Sequence, residues 1–386
     1  MSEPAPASFH DDVLELTRDL IRRPSVTPDD AGCQDLVAAR LATAGFRVER
    51  QRFGEVDNLW ARLGQDEPLL VFLGHTDVVP PGPEDQWQHP PFAADVADGM
   101  LWGRGAADMK GSVAAMVVAA ERFAALDDQH VGSIAILLTS DEEGPAVDGT
   151  RRMVEWLGER GEHVTYCVVG EPSCDTRFGD TLRVGRRGTL SGDLLVHGVQ
   201  GHVAYPHRAR NPLHDCLPAL TELIEREWDR GDEDFPPTSF QISNLNAGTG
   251  AENVIPGTAQ VRFNFRYGPI QSATALQAAV REVLDRHGVD CTLDWRHGGE
   301  PFRTPPGRLR SALAESIHSV TGIEPAQSTA GGTSDGRFVA PTGAQVIEFG
   351  PRNATIHQID ERVAVDDLAA AALIHFRLAR RLLASA

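Results

Sequence analysis

Residues 69–77, Leu-Leu-Val-Phe-Leu-Gly-His-Thr-Asp, combine five consecutive apolar residues with polar side chains that follow almost at once. A short continuous apolar run of this kind is typical of a β-strand buried on both faces. Comparable runs occur at residues 134–138, 166–169 and 345–349. Between the first three runs, residues 112–126 and 150–160 have helical apolar spacing. This alternation of strands and helices predicts an α/β fold with a mostly parallel sheet.

A different pattern occupies residues 188–301. Alternating polarity predicts strands at residues 189–196, 239–245 and 259–267, and helical spacing predicts helices at residues 212–226 and 273–287. Because runs typical of the first sheet resume only at residue 345, we interpret this segment as an inserted α+β domain with two layers. The expected organisation is one domain formed by residues 1–187 and 302–386, interrupted by the insertion at residues 188–301.

The net charge is strongly negative. Lys and Arg total 36 against 55 Asp and Glu, which gives −19 at pH 7. Nucleic acids and anionic membranes bind clustered positive charge, so we expect neither as a partner. The sequence has no apolar run of the ~18 residues that a membrane helix needs, and residues 1–10 lack the features of a signal peptide. We therefore predict a cytoplasmic protein.

Histidine and carboxylate side chains recur just after the predicted strands. They are His75, Asp108, Glu142 with Glu143, Glu171 and His357. Ligands of open α/β sheets bind at the carboxyl ends of strands, so a single shared site is expected. These nitrogen and oxygen ligands suit two zinc ions if one carboxylate bridges, whereas the five scattered cysteines offer no thiolate site. Two metals would polarise a carbonyl and supply hydroxide, which predicts hydrolysis of a C–N bond.

Each of these residues alone has a simpler explanation. Asp108 before a helix could be an N-cap, and His75 could be an ordinary hydrogen-bonded histidine at a strand end. Their joint placement favours the shared site. Asp77 lies two residues after His75, on the same face of an extended segment, so its carboxylate is expected to orient the imidazole. One of Glu142 and Glu143 should bind metal while the other moves a proton, and their spacing leaves open which does which.

Several segments of the chain also carry a family resemblance. They are Gly74–Pro80 (GHTDVVP), Gly103–Gly111 (GRGAADMKG), Thr139–Gly144 (TSDEEG), Gly170–Pro172 (GEP), Gln200–His207 (QGHVAYPH), Phe235–Ser239 (FPPTS), Asn253–Pro256 (NVIP), Gly331–Arg337 (GGTSDGR) and Thr355–His357 (TIH). Together they resemble the M20 family of di-zinc peptidases and deacylases, over residues 14–383. The resemblance implies a catalytic domain split by an inserted dimerisation domain.

The resemblance also implies roles for the strand-end residues. Asp108 would bridge two Zn²⁺ ions, which Co²⁺ is expected to be able to replace. His75 and Glu171 would complete one metal site, and Glu143 and His357 the other. Glu142 would then be the general base, and the peptide bond after Asp108 would be cis.

The predicted substrate-binding residues are more dispersed. Arg186, Arg266, the Gly332-Thr333 turn and Asn353 could bind carboxylates, because guanidinium groups and exposed main-chain amides are good anion ligands. By resemblance, Tyr205 would line the same pocket. The resemblance further implies a homodimer in which His202 reaches the partner's active site to stabilise the oxyanion, and in which Asn253 is presented across the interface.

The activity implied by the resemblance is hydrolysis of a small dicarboxylate amide. The expected substrate is N-succinyl-LL-2,6-diaminopimelate, cleaved to succinate and LL-2,6-diaminopimelate for lysine and peptidoglycan precursors. Another deacylase activity of the family, of the acetylornithine deacetylase or aminoacylase type, would share every metal ligand. A non-catalytic binding protein is the alternative from a different class, but a free carboxylate beside the ligands argues against a purely structural metal site.

Overall fold

The structure is a computed structural model that describes residues 5–126 and 130–383. Its α-helices are α1 (His10–Ile21), α2 (Cys33–Thr43), α3 (Gly111–Ala124), α4 (Thr150–Glu159), α5 (Pro212–Glu225), α6 (Ala273–Arg286), α7 (Arg308–Thr321), α8 (Gly336–Val339) and α9 (Val365–Leu383).

The strands are β1 (Arg47–Phe53), β2 (Val56–Leu63), β3 (Leu69–His75), β4 (Asp95–Ala97), β5 (Met100–Trp102), β6 (Ser133–Thr139), β7 (Tyr166–Val169), β8 (Thr181–Arg183), β9 (Gly185–Arg186), β10 (Gly188–His197), β11 (Gly201–His202), β12 (Ser239–Ala247), β13 (Val254–Ile255), β14 (Thr258–Tyr267), β15 (Cys291–Gly299), β16 (Phe302–Arg303), β17 (Ala326–Ser328), β18 (Gln345–Glu348) and β19 (Arg362–Ala364).

An eight-stranded sheet with the order β1-β2-β6-β3-β7-β18-β8-β17 organises the larger part of the fold. Its centre, from β6 through β3 and β7 to β18, is parallel. The apolar runs found in the sequence form these four central strands, and β3 and β6 are buried along their whole length. The observed sheet confirms the predicted α/β class, with β1 and β2 added as an antiparallel edge.

The register of the central strands places their carboxyl ends side by side. His75 at the end of β3 is opposite Thr139 at the end of β6, and Leu73 is opposite Val169 at the end of β7. The polar segments that follow the three strands therefore leave the sheet at the same edge. This edge is where a ligand site is expected in a parallel sheet.

Helices α3 and α9 form the apolar layer beside the sheet. They pack against each other, α1 contacts both of them, and α7 contacts α9. Helix α3 is buried from Gly111 to Ala120, which explains why its sequence is apolar on every side. The loop that carries Asp108 leads directly into this helix, so its position is set by a rigid, buried element.

A small three-stranded sheet joins distant parts of the sequence. Strand β5 pairs with β4 on one side and with β19 on the other, with Leu101 opposite Val363. Strand β5 immediately precedes the loop of Asp108, and β19 follows the loop of His357. The pairing therefore brings these two loops together although more than half of the chain separates them.

The described residues divide into two compact units. The first comprises the chain up to Gly185 with Arg303–Ser328 and the segment from Ser334 onward, and the second comprises Arg186–Phe302 with Thr329–Thr333. In the second unit, a four-stranded antiparallel sheet of order β12-β14-β10-β15 packs against α5 and α6 around its own apolar core. The role of this unit in dimerisation stays a prediction.

Along residues 5–126 and 130–383, none of the helices has both the length and the apolar character needed to cross a membrane.

Candidate metal centre

Asp108 lies between two histidines from distant parts of the chain. The Oδ1 atom of Asp108 is 3.3 Å from Nε2 of His75, and its Oδ2 atom is 3.3 Å from Nε2 of His357. Each carboxylate oxygen thus faces a different imidazole, which is the arrangement required of a carboxylate that bridges two metal ions.

The other predicted ligands surround this carboxylate. Oε1 of Glu143 is 2.9 Å from Nε2 of His357, and Oε1 of Glu171 is 3.9 Å from Nε2 of His75. In each of two groups of three residues, the potential ligand atoms all lie within 4.8 Å of one another. One group is His75, Asp108 and Glu143, and the other is His75, Glu142 and Glu171. The structure therefore brings all the strand-end residues of the sequence analysis into one cluster, within the first unit.

Unpartnered polar atoms show that this cluster suits a cation. Nε2 of His75, Oδ1 of Asp108 and Oε1 of Glu171 are buried and, among the described residues, accept or donate no hydrogen bond. Buried polar atoms are ordinarily satisfied, and three such atoms facing one another fit a bound divalent ion. The donor set, with imidazole nitrogens and carboxylate oxygens but no thiolate, also fits a two-metal site.

The electrostatics of the cluster agree with this assignment. Burial alone would lower the pKa of His75, but Asp108, Asp77 and other carboxylates raise it well above its ordinary value. Asp108 and Glu143 raise the pKa of His357 to about 10. Both shifts show that the surrounding carboxylates favour positive charge at the imidazoles. A divalent metal would supply this compensating charge.

The chain on either side of Asp108 is tightly packed. The peptide bond between Asp108 and Met109 is cis, as the family resemblance implied. Met109 is buried against Gly74, the second-last residue of β3, and Gly170, which follows β7: a Cβ atom at Gly74 or Gly170 would lie 2.6 or 2.5 Å from its Cε atom. Because these glycines have no side chain, Met109 can pack closely against the ends of the two strands. Asp108, the residue before Met109, is thereby held among the proposed metal ligands.

Asp77 differs from its predicted role. The ring nitrogen Nδ1 of His75 donates to the main-chain carbonyl of Asp77 at 2.8 Å, whereas the Asp77 carboxylate is 3.7 Å away. That carboxylate accepts hydrogen bonds from the main-chain nitrogens of Glu142 (3.4 Å) and Glu143 (3.1 Å). Asp77 thus orients the imidazole through its main chain, leaving Nε2 directed to the cluster, and uses its side chain to hold the two glutamates.

Comparison with known proteins identifies the family. The sequence profile described as peptidase family M20/M25/M40 matches residues 71–381. The chain belongs to the M20/M25/M40 peptidase family. A succinyl-diaminopimelate desuccinylase of Halorhodospira halophila is 62% identical over 97% of this chain and 99% of its own length. A desuccinylase of the same name from Xanthomonas euvesicatoria is 60% identical over 96% of this chain and 99% of its own.

Solved structures share the M20/M25/M40 fold at low sequence identity. A metallo-carboxypeptidase of this family from Sulfolobus solfataricus aligns over 96% of this chain and 99% of its own, with a TM-score of 0.81 and 18% identity. A dinuclear metal-binding peptidase of the M20 family from Bacillus subtilis covers 97% of this chain and 98% of its own, with a TM-score of 0.72 and 16% identity. These likenesses support the fold class.

Two residues that support the centre of this member of the M20/M25/M40 family were missed by the sequence analysis. Glu361 is fully buried and accepts hydrogen bonds from the main chain of the Asp108 loop. Lys110 is also fully buried, and its ammonium donates to the carbonyl oxygens of Leu20 (2.9 Å) and Arg23 (2.7 Å). Lys110 is the only lysine among the 36 basic residues, and this was the available signal in the sequence. Without these contacts, that signal does not indicate a structural role.

The predicted substrate residues lie mostly in the second unit. His202 in β11 is exposed and pairs with Val254 of β13, and Val203 donates to the carbonyl oxygen of Asn253, so these loops are neighbours. The Tyr205 ring is exposed beside His202, with the two ring centres 5.7 Å apart.

The predicted anion ligands fall in separate places. Nη1 of Arg186 donates to the carbonyl oxygen of Ala330 at 2.9 Å, next to the Gly332-Thr333 turn, and all of these belong to the second unit. Arg266 lies in β14 of the same unit, opposite Thr189. Asn353 lies in the first unit, where its amide donates to Asp175 at 3.2 Å.

Proposed function

We propose that this chain is a di-zinc amidohydrolase that cleaves N-succinyl-LL-2,6-diaminopimelate to succinate and LL-2,6-diaminopimelate, in the biosynthesis of lysine and meso-diaminopimelate. The observation that carries the proposal is the 62% identity with a succinyl-diaminopimelate desuccinylase over nearly the full length of both chains. The likeness therefore includes the second unit, where most predicted substrate residues lie, as well as the metal ligands. A cytoplasmic location stays a prediction.

The proposed ligands divide the cluster into two positions. His75 and Glu171 would hold one metal, Glu143 and His357 the other, and Asp108 would bridge the two. Zinc is the proposed ion because the donors are imidazole and carboxylate, and Co²⁺ should be able to replace it because it accepts the same ligands. When bound, the two cations polarise the amide carbonyl and lower the pKa of water.

Glu142 is proposed to move the proton. Among the described residues its carboxylate forms no hydrogen bond, although its main-chain nitrogen is held by Asp77. Burial, followed by the charge of Asp335, raises the pKa of Glu142 above its ordinary value, which favours proton uptake nearer neutral pH. Glu142 would accept a proton from the attacking water and then deliver it to the departing amine.

We further propose a homodimer in which His202 serves the partner's centre. The second unit has features of a self-association surface: β12 is an edge strand whose residues 243–247 are exposed. Leu217 and Ile224, seven residues apart on α5, are 46% and 60% exposed. An unpaired strand edge beside exposed apolar side chains favours pairing with a second copy. His202 would then donate a hydrogen bond to the oxyanion.

Substrate carboxylates need cationic or amide donors in this acidic protein. Arg186, Arg266, Asn353 and the main chain of Gly332 and Thr333 are the proposed donors, and Asn253 and Tyr205 are proposed to contact the substrate as well. This division of roles predicts that Arg186→Ala and Arg266→Ala raise KM for a dicarboxylate amide more than they lower kcat.

The proposal is tested by amine release from metal-stripped protein before and after addition of two equivalents of zinc. N-succinyl-LL-2,6-diaminopimelate is the substrate and N-acetylornithine is the control. Zinc-dependent cleavage of the succinyl compound, with little cleavage of the acetyl compound, is expected. Preferential cleavage of N-acetylornithine would overturn the substrate assignment, and cleavage that needs no metal would overturn the proposed role of the ligands.

A further inference from the structure

Glu361 holds the main chain of the Asp108 loop with both of its carboxylate oxygens. Oε1 accepts hydrogen bonds from the nitrogens of Ala107 (2.9 Å) and Asp108 (3.0 Å). Oε2 accepts one from the nitrogen of Gly105 (3.0 Å) and one from Nη1 of Arg104 (2.6 Å). A single side chain thus anchors almost every residue from Arg104 to Asp108.

All four partners of this carboxylate are hydrogen-bond donors, so both oxygens of Glu361 must act as acceptors. Only the ionised carboxylate meets that requirement, because a protonated acid or an amide would present a donor to at least one of these groups. Arg104, itself 2% exposed, supplies the compensating positive charge to the fully buried Glu361.

Glu361 also belongs to the loop that carries His357. This loop is closed by Thr355, whose hydroxyl donates to the carbonyl of Arg362 (3.1 Å) and accepts from the nitrogen of the same residue (3.2 Å). The main-chain carbonyl of Glu361 accepts from the nitrogen of Gly103 at 2.9 Å. The main chain and the side chain of Glu361 therefore join the loop of one proposed ligand to the loop of another.

We propose that Glu361 is a positioning residue for the metal centre, which sets the place of Asp108 relative to His357 and so controls metal affinity. This inference rests on the ligand set of the proposed function. Asp108 is the proposed bridge, so a shift of its main chain would disturb both metal positions. Outer groups that orient metal ligands typically change metal affinity by about 10- to 100-fold when they are removed.

The simpler alternative is that Glu361 only stabilises the fold. A purely structural carboxylate would lower the melting temperature when replaced, but the fully folded variant would keep its metal affinity and its metal spectrum. Metal binding measured well below the melting temperature therefore separates the two roles.

The experiment titrates metal-stripped full-length protein with Co²⁺ and records the visible absorption of the bound ion. Glu361→Gln is the main variant, and Glu361→Asp keeps the charge but shortens the side chain. Glu121→Gln is the matched control, because Glu121 is also paired with an arginine through both oxygens, by contacts of 2.8 and 2.7 Å to Arg40, but contacts no ligand loop. His75→Ala tests the ligand set itself.

We expect Glu361→Gln to weaken Co²⁺ binding at least about 10-fold and to alter the absorption bands. Glu361→Asp should have the same defect, and it replaces the glutamine variant if that variant does not fold. Glu121→Gln should bind Co²⁺ as the wild type does. If His75→Ala loses binding while both folded Glu361 variants keep wild-type affinity and spectrum, the positioning role is overturned. If His75→Ala also binds normally, the ligand set fails together with the inference.

Discussion

The ammonium group of Lys110 donates a hydrogen bond to the carbonyl oxygen of Leu20 at 2.9 Å. Leu20 lies in the last turn of α1, where carbonyl groups carry the negative end of the helix dipole, and its carbonyl also accepts from the main-chain nitrogen of Arg23 at 3.1 Å. Lys110 also donates to the carbonyl oxygen of Arg23, and it lies two residues after Asp108. The Asp108 loop is thus attached to α1 at one end by Lys110, while Glu361 holds its other end.

Replacement of Lys110 should therefore destabilise the protein. Lys110→Met removes two charge-assisted hydrogen bonds from a fully buried site, so the free energy of unfolding should fall by about 3 kcal/mol. Lys110→Arg should also destabilise, because the larger planar guanidinium does not fit a fully buried site shaped for an ammonium. Urea denaturation measures both effects. The surface variant Arg381→Lys is the control, and wild-type stability of Lys110→Arg would contradict this account.

Glu142 and Glu143 are adjacent, but their variants should fail in different ways. Glu142→Gln should retain both metals and lose about 10²- to 10⁴-fold in kcat, because the proton carrier is removed. Glu143→Gln should instead lose metal from the position it shares with His357, since its Oε1 atom lies 2.9 Å from that imidazole. Metal content by atomic emission and turnover by amine release separate the two. Normal turnover of Glu142→Gln would contradict its assignment.

The proposed sharing of His202 between subunits can be tested by complementation. His202→Ala and Glu142→Gln should each be nearly inactive as pure proteins. Co-expression should form mixed dimers in which one centre has its own Glu142 and the partner's intact His202. Random assortment in a symmetric dimer predicts about a quarter of wild-type activity. No recovery in purified mixed dimers would show that His202 does not act across the interface.

His375 should make stability depend on pH. It is fully buried in α9 against the rings of Phe72 and Phe349, and among the described residues neither ring nitrogen has a hydrogen-bond partner. Burial lowers the pKa of His375 to about 3. Between the unfolded pKa near 6.5 and this value, the unfolded chain binds the proton and the folded chain does not, so stability falls as the pH falls.

The size of this effect follows from the two pKa values. At pH 5 the free energy of unfolding should lie about 2 kcal/mol below its value near pH 8 on account of His375 alone. His375→Leu removes the group and should reduce the loss by that amount in urea titrations at both pH values. Equal pH dependence in the variant and the wild type would contradict the assignment, because all other titrating groups are common to the two proteins.

The central sheet and the cluster at its edge could be predicted because both depend on local patterns. Buried parallel strands have continuous apolar sequences, and parallel strands end at a common edge, so His75 and Glu171 could be grouped without coordinates. The long helix α9 and the antiparallel strand β2 were not assigned from the sequence. Strand β2 mixes apolar and polar residues without a clear period.

The support of the centre could not be predicted in the same way. The contact between Glu361 and the Asp108 loop depends on the pairing of β5 with β19, two strands of three residues each whose sequences give almost no signal. The side chain of Asp77 illustrates the same point. Its spacing from His75 suggested a hydrogen bond to the imidazole, but in the structure two main-chain nitrogens lie closer to its carboxylate. Contacts with the main chain leave little trace in the sequence.

The pairing of β5 with β19 also has a consequence for biosynthesis. His357 and Glu361 follow the inserted unit in the chain, so a ribosome must synthesise all of that unit before these residues can reach the loop of Asp108. Nascent chains therefore cannot assemble the complete set of ligands early. Binding of a metal by the complete set of proposed ligands can therefore follow, but not precede, synthesis of the second unit, and α9, which packs against α3, emerges later still.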